Sequence, residues 1–276
     1  MTFDPIYLGL PGTRDSSLIK LGERVGFHFG EKGAHTSRTI MLKELRSLVQ
    51  ASGDDATRDG YRRRIVEDNC LGKRTSATRR LTNQRLSELY ALDARVMLFR
   101  VMRQLWADDD RGQPLLALLL ALARDPLLRF TAPTILQMRP GEELGRQSLT
   151  DALRRATGSR FNDAVLDKVV RNAAASWTQS GHLEGRGRKC RRIVSPTAAV
   201  VTFALILGYA LGARGGILFE TLWSKVLDVG MQEMVSLAMD AKRLGYIHLR
   251  VIGGIIEMSP AQILTQEERR LVNGPG

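Results

Sequence analysis

Apolar positions recur at helical spacing through most of the chain, which predicts a mainly α protein. Between residues 95 and 140 this pattern becomes dense, and we expect those segments to form the core of a helical bundle. The predicted helices span residues 38–51, 56–69, 76–92, 96–106, 114–123, 126–138, 196–213, 217–227 and 231–244, with a frayed helix and tail after residue 265.

Residues 148–194 follow a different order, in which helix, turn and helix precede a basic hairpin, and this order is typical of a winged helix-turn-helix. The second helix begins near Phe161 and buries one apolar stripe. Arg and Lys match guanine acceptors and Asn and Gln match adenine, so its other face would suit a major groove. That predicted exposed face comprises Lys168, Arg171, Asn172, Ala175 and Gln179.

The hairpin after this helix predicts a phosphate clamp. Residues 182–184 and 189–194 are expected as strands, joined by a glycine-rich turn over 185–188. A solvated hairpin without a ligand is the alternative interpretation. The hairpin cations that we expect to contact phosphate are Arg186, Arg188, Lys189, Arg191 and Arg192.

A second short β-hairpin is predicted where residues 246–251 and 255–258 flank Gly253-Gly254. It carries little charge, so we expect a structural role, with only His248 and Arg250 as candidate contacts.

The net charge says more about possible binding partners than the amino-acid composition does. The formal net charge is +12 and the pI is near 10.3, so the protein should attract polyanions. Residues 58–85 hold nine positive charges against three acidic ones, which predicts either a solvated helical surface or a second surface that contacts phosphates. The candidate contacts there are Arg62, Arg63, Lys73, Arg74, Arg79 and Arg80.

Three regions are expected along the chain. Residues 1–35 are rich in Gly and Pro and should form a loop-rich N-terminal segment, with a short element expected around residues 17–29. Arg139-Pro140-Gly141 resembles a linker, which separates a helical N-terminal domain over 36–140 from a C-terminal domain over 141–276. The C-terminal domain would contain the winged helix, the second hairpin and a short tail.

Motifs for catalysis or for a metal ion are missing from the sequence. It has no phosphate-binding loop and no dinucleotide-binding glycine motif, and Ser17-Leu18-Ile19-Lys20 is a chance-level match to Ser-x-x-Lys. The four histidines are scattered and are expected as surface or capping groups, and Asp108–Asp110 as a solvated turn. Two distant cysteines suggest reduced thiols. We therefore expect no enzyme, no cofactor and no metal.

Two segments of the sequence bear on the cellular location of the protein. The N-terminus lacks the charge and apolar pattern of a secretory signal, which predicts a cytoplasmic protein. Residues 197–213 contain no charge, but their length is marginal for a span and Thr202, Gly208 and Gly212 dilute them. A buried core helix, with Pro196 in its first turn, is favoured over a transmembrane segment.

A further set of stretches is informative in combination: residues 65–75 with the Arg-rich helix after them, 122–128, 176–183, 207–209 and 212–215. Together these stretches resemble the BrxA family of bacteriophage exclusion (BREX) defence systems, over roughly residues 38–260. The resemblance implies a helical, non-enzymatic accessory protein that binds duplex DNA beside a methyltransferase, an ATPase and a phosphatase-like protein. It assigns no base-reading residue.

The leading hypothesis from the sequence is a double-stranded DNA-binding protein that serves phage defence. A scaffold that bridges other defence proteins through its basic faces is one alternative, and an RNA-binding, antitermination-like role is another. Membrane association through residues 197–213 is a further alternative.

Overall fold

A computed structural model describes residues 16–53, 56–260 and 262–273, and it is mainly helical, as predicted. The helices are α1 Ser16–Val25, α2 Leu42–Gln50, α3 Arg58–Val66, α4 Ser76–Tyr90, α5 Met97–Asp108, α6 Gln113–Arg124, α7 Pro126–Gln137, α8 Arg146–Thr157, α9 Asp163–Gln179, α10 Ala198–Ala210, α11 Leu222–Lys225, α12 Met231–Arg243 and α13 Gln266–Asn273. The strands are β1 Leu183–Glu184, β2 Cys190–Arg191, β3 His248–Ile252 and β4 Ile255–Ser259.

Side-chain caps explain where many helices begin. Thr75, Asn162 and Thr197 each accept a hydrogen bond from the backbone N–H three residues later, and these bonds start α4, α9 and α10. Pro196 therefore lies outside α10, and its predicted first-turn position is wrong. The expected helix over 217–227 is also wrong in detail, because a 3-10 turn over Gly215–Phe219 precedes the short helix α11.

Helix α2 begins four residues later than predicted. Residues 34–36 form a 3-10 turn, and Met41, immediately before the helix, has a left-handed φ of 51°. The segment 37–41 is therefore a non-helical linker to α2. The N–H of Ile40 and that of Leu42, the first residue of α2, donate to side chains of α9.

Helix α10 lies at the centre of the bundle. Every residue from Ala199 to Ala210 is buried, and the helix packs against α1, α5, α6, α11 and α12. The prediction of a core helix is therefore confirmed for these residues. Within the part of the chain that the structure describes, no helix combines the length and the apolar character needed to cross a bilayer.

The N-terminal region contributes to the same core. Residues 16–25 are helical, which agrees with the short element expected around residues 17–29. Val25, Phe27, Ala34 and His35 are buried. Helices from both sides of residue 140 share one continuous hydrophobic core, in which α10 contacts α5 and α6. Residues 1–15 lie outside the described residues.

The winged helix-turn-helix is built from α7, α8, α9 and a small antiparallel sheet. β1 pairs with β2, with Leu183 opposite Arg191. On its other edge β2 bonds to the segment 141–144: the N–H of Gly141 donates to the carbonyl of Arg191 at 2.8 Å, and that of Leu144 to the carbonyl of Lys189 at 2.7 Å. β2 is thus the central strand of the sheet, and the wing, residues 185–189, projects from it.

The second hairpin also forms as predicted, with β3 paired to β4 around Gly253-Gly254. Leu249 and Met258 face the core, whereas Val251, Ile252 and Ile255 at the tip are exposed. β4 packs against the 3-10 turn at 215–219, and β3 against α12.

Candidate nucleic-acid interface

The helix and the wing predicted to bind DNA enclose one cavity of about 330 Å³, which we call the wing cleft. Its wall is formed by the segment 143–149, by one side of α9 and by the wing. Arg171 of α9 and the arginines of the wing therefore face the same space. The basic residues that line the wing cleft are Arg146, Arg171, Arg186, Arg188 and Lys189.

Acidic neighbours neutralise part of this charge. Asp167 accepts from Arg146 and pairs with Arg171, whose Nε lies 3.2 Å from Oδ2. Glu143 lies 3.8 Å from Arg188 Nε. Five cations thus face two carboxylates, and the surplus is positive. Arg171 and Arg188 remain 65% and 86% exposed, so a polyanion can displace the carboxylates at little cost.

The turn of the wing depends on glycine. Gly185 has a φ of 104°, and a Cβ there would lie 2.0 Å from the carbonyl oxygen of Arg188. Arg186 and Arg188 are carried by this turn and are exposed. Lys168, on the exposed side of α9, and Arg186 form no ion pair with any residue that the structure describes.

Two residues of the predicted base-reading face of α9 have a different role. The side-chain amide of Asn172 donates to the carbonyl of His35 at 2.8 Å. Gln179 Nε2 donates to Thr39 Oγ1 at 2.9 Å, and its Oε1 accepts from the N–H of Leu42 at 3.0 Å. Their predicted exposure is wrong, because the segment 34–42 covers this side of α9, and Asn172 and Gln179 hold that segment in place.

A buried Ser-His-Asp network fixes the same segment. His35 Nδ1 donates to Asp125 Oδ2 at 2.8 Å, and His35 Nε2 lies 2.8 Å from Ser176 Oγ, which accepts from the N–H of Ile40 at 3.0 Å. Gly33 permits the close approach, since a Cβ there would lie 2.2 Å from Asp125 Oδ1. Burial would raise the pKa of Asp125, but the bonds from His35 and from Leu128 N–H hold that pKa below its ordinary value.

Although this order of groups resembles that of hydrolases, Ser176 and His35 are fully buried and Asp125 is 1% exposed. Backbone groups of the segment 34–42 bond to the same network, because the N–H of His35 donates to Asp125 and that of Ile40 donates to Ser176 Oγ. The network therefore works as a structural brace between α7, α9 and the N-terminal segment.

Arg191 is not a surface cation, and its prediction as a phosphate contact is wrong. Its side chain is 2% exposed and pairs with Asp228 at 2.5 Å. The same guanidinium donates to the carbonyl of Ile135 at 3.0 Å. Because a buried charge needs a partner, this pair anchors the base of the wing to the core.

The other cations of the wing differ in their exposure and in their bonds to the protein. Lys189 is half-buried, and its Nζ donates to Thr178 Oγ1 at 2.8 Å. Arg192 is exposed and lies 3.4 Å from Glu184. Arg186 and Arg188 are therefore the wing cations best able to exchange their environment for a phosphate group.

The second basic region is exposed only in part. Arg62, Arg63, Arg74 and Arg80 lie at the surface of α3, α4 and their connection, and Arg62 pairs with Glu67 at 3.2 Å. Two other predicted contacts are half-buried and already bonded to the protein: Lys73 Nζ pairs with Glu44 at 2.9 Å, and Arg79 donates to the carbonyl of Val66 at 2.9 Å.

Two histidines contradict the expectation of surface or capping groups. His35 and His182 are fully buried. His182 Nε2 donates to the carbonyl of Val226 at 2.7 Å, and burial lowers the pKa of His182 to about 4. His182 is therefore neutral at pH 7 and links the start of β1 to the chain after α11.

Sequence reasoning missed Arg146 and the carboxylate that organises it. Arg146 is the first residue of α8, and Asp167 lies on α9 one turn before Arg171. The spacing of Asp167 and Arg171 by four residues was a readable signal for an ion pair on one helix face. The position of Arg146 beside that pair could not be predicted, because it depends on how α8 packs against α9.

The fold and the cleft define a helical protein with an embedded winged helix-turn-helix and a basic cleft beside its second helix. No model of a known protein family matches the sequence, and no curated protein matches it. No group of His, Cys, Asp or Glu side chains suited to hold a metal ion occurs among the described residues.

Proposed function

We propose that the protein binds double-stranded DNA through the wing cleft, without catalysis, as an accessory protein of a BREX-type phage defence system. The observation that carries the proposal is that α9, the start of α8 and the wing direct arginines into one cleft. Cations of this kind attract the phosphates on either side of a duplex groove. The proposed contacts are Arg146, Lys168, Arg171, Arg186 and Arg188.

Binding by these residues would tolerate different DNA sequences. Asn172 and Gln179, the amides that could have read adenine, are occupied by the segment 34–42. The contacts that remain are guanidinium and ammonium groups, and we assign them to the phosphate backbone, where such groups position a protein on the duplex. Exposed Arg62, Arg63, Arg74 and Arg80 are proposed as a second set of such contacts.

The defence assignment rests on the resemblance to the BrxA family, and so do the proposed partners, a methyltransferase, an ATPase and a phosphatase-like protein. A cytoplasmic location belongs to the same proposal. The sealed Ser176-His35-Asp125 network supports a non-enzymatic role, because its hydroxyl has no access to solvent.

The proposal is tested by titrating a labelled duplex at two salt concentrations, with single-stranded DNA and RNA as competitors. Duplex binding that weakens steeply with salt and resists both competitors supports it. Preferential binding of single-stranded RNA would favour the RNA-binding alternative, and the absence of saturable binding would exclude the cleft as a nucleic-acid site.

A second candidate function, a scaffold for other defence proteins, is favoured by the tip of the second hairpin. Ile252 and Ile255 are 63% and 69% exposed on adjacent strands. Together with Val251 they form a contiguous apolar patch at the tip, and contiguous exposed patches often mark protein contacts. Co-purification with a partner that is lost on Ile252→Ser and Ile255→Ser, with DNA binding unchanged, would support this function.

A further inference from the structure

A second basic cavity, of about 420 Å³, lies where the N-terminal region meets the winged helix, and we call it the junction cavity. The loop at 28–36, helix α4, the end of α6 and the turn between α8 and α9 form its walls. Each of these four elements contributes a cation: Lys32, Arg85, Arg124 and Arg160. The cavity is separate from the wing cleft and shares no lining residue with it.

The positive charge of the junction cavity is only partly balanced. Glu88 is its single acidic lining residue, and it pairs with Arg85 at 2.7 Å. Arg160 lies 3.8 Å from the nearest carboxylate described for it, that of Glu31. Lys32 has no ion-pair partner among the residues that the structure describes.

Arg124 is the fixed cation of the cavity. Its guanidinium donates to the backbone carbonyls of Glu88 at 3.0 Å, Gly26 at 2.5 Å and Ser87 at 3.4 Å, and none of these carbonyls carries a charge. Burial lowers the pKa of Arg124 to about 10, so it remains charged at pH 7. Carbonyl dipoles hold this charge in place without neutralising it, and an anion in the cavity would supply the missing negative charge.

We propose that the junction cavity binds the phosphate group of a phosphorylated ligand, through Lys32, Arg124 and Arg160. A phosphate offers three strong acceptor oxygens, and guanidinium groups match them with paired donors. The volume falls within the range of small-molecule sites, of about 300–1,000 Å³, and holds more than a bare phosphate ion. The proposal needs no duplex in the wing cleft, so it is independent of the proposed function.

His28 makes the binding depend on pH. Its Nε2 lies 3.2 Å from the carbonyl of Lys32. Burial lowers the pKa of His28, and Arg124 and Arg129 lower it further, whereas the hydrogen bond to the Lys32 carbonyl and the charge of Asp125 oppose this shift. A bound phosphate would add negative charge beside Lys32, Arg85, Glu88 and Arg160 and raise that pKa. Binding then takes up a proton, and affinity increases as the pH falls.

The test uses inorganic pyrophosphate as the probe, measured by calorimetry with the full chain at constant ionic strength. We expect saturable binding, weakened about tenfold or more by the double variant Lys32→Gln and Arg160→Gln, because each substitution removes a charge-assisted hydrogen bond to phosphate. The matched control, Lys242→Gln and Arg243→Gln, removes two exposed cations from α12 and should bind as the wild type does.

The His28→Gln variant isolates the titration. As the pH falls, the ratio of wild-type affinity to variant affinity for pyrophosphate should increase, because the titration of the probe is common to both proteins and only the wild type gains the charge of His28. Equal pH dependence in the two proteins would overturn the role of His28. Binding weaker than about 1 mM in the wild type, or equal binding by the double variant and the control, would overturn the site.

A duplex competition identifies the source of the phosphate. If a short duplex displaces pyrophosphate, and Lys32→Gln with Arg160→Gln weakens duplex binding, the site belongs to the DNA backbone contacts. If the duplex and pyrophosphate bind together, the ligand is a free phosphorylated molecule. Both results support the phosphate site and leave the test of the wing cleft unaffected.

Discussion

The salt dependence of duplex binding is the sharpest consequence of the wing cleft. The triple variant Arg171→Gln, Arg186→Gln and Arg188→Gln removes three cations that line the cleft while keeping the side chains polar. Removing one cation that neutralises a phosphate lowers the slope of log affinity against log salt by about 0.9, so the three substitutions together lower it by about 2.7. The expected signature is therefore a change of slope.

The size of this effect makes it measurable. Between about 50 mM and about 200 mM salt, a slope difference of about 2.7 means that the affinity of the wild type falls roughly 40-fold more than that of the cleft variant. Fluorescence anisotropy of a labelled duplex at several salt concentrations would give both slopes.

A matched control separates local contacts from net charge. Lys225→Gln, Lys242→Gln and Arg243→Gln remove the same total charge from exposed positions on α11 and α12. The control should retain the wild-type slope, and melting temperatures should confirm that all three proteins are folded. Equal slopes for the wild type and the cleft variant would refute the cleft as the phosphate-binding surface.

Further predictions concern stability and specificity. Burial lowers the pKa of His182 to about 4 in the folded protein, whereas its ordinary value in the unfolded chain is about 6.5. Between these two pH values the unfolded chain binds more protons than the folded one. The free energy of unfolding should therefore fall by about 3 kcal/mol as the pH drops through this window. Urea unfolding of His182→Gln should show less of this loss, and an unchanged pH dependence would contradict the assignment. Arg191→Gln should cost about 3–5 kcal/mol, because it leaves Asp228 buried and unpaired, and a midpoint shift within error would argue against the anchor. Asn172→Ala and Gln179→Ala should each lower the stability by about 1–3 kcal/mol and leave the salt slope and the sequence preference of duplex binding unchanged. Altered base preference in either variant would restore them as DNA-reading residues.

Much of the fold was predictable because it depends on local patterns. Helical spacing of apolar residues located most of the helices, and the buried helix α10 followed from an uncharged segment too short to span a bilayer. Gly253-Gly254 between alternating residues identified the second hairpin. The winged helix-turn-helix was recognisable from the order of its elements, although the pairing of the segment 141–144 with β2 was not, since that segment shows no strand pattern.

The errors at the site have a common cause. A helical wheel shows which residues share a face, but not which distant segment covers that face. Residues 34–42 cover Asn172 and Gln179, and nothing in their residue types indicates this contact. The sequence predicted Arg191 at the surface because a hairpin with five cations is expected to be exposed to solvent. Its cross-strand partner is the apolar Leu183, and this pairing would have placed it inside if the register had been known.

The construction of the wing bears on how closely it can fit a ligand. β2 is bonded along both edges and fixed by Arg191, whereas Arg186 and Arg188 lie beyond these bonds, beside Gly185 and Gly187. The base of the wing is therefore preorganised, whereas its tip carries the backbone freedom that glycine allows. Ordering the backbone of the turn on contact costs about 1–2 kcal/mol per residue, which reduces affinity but lets the guanidinium groups follow uneven spacing between phosphates.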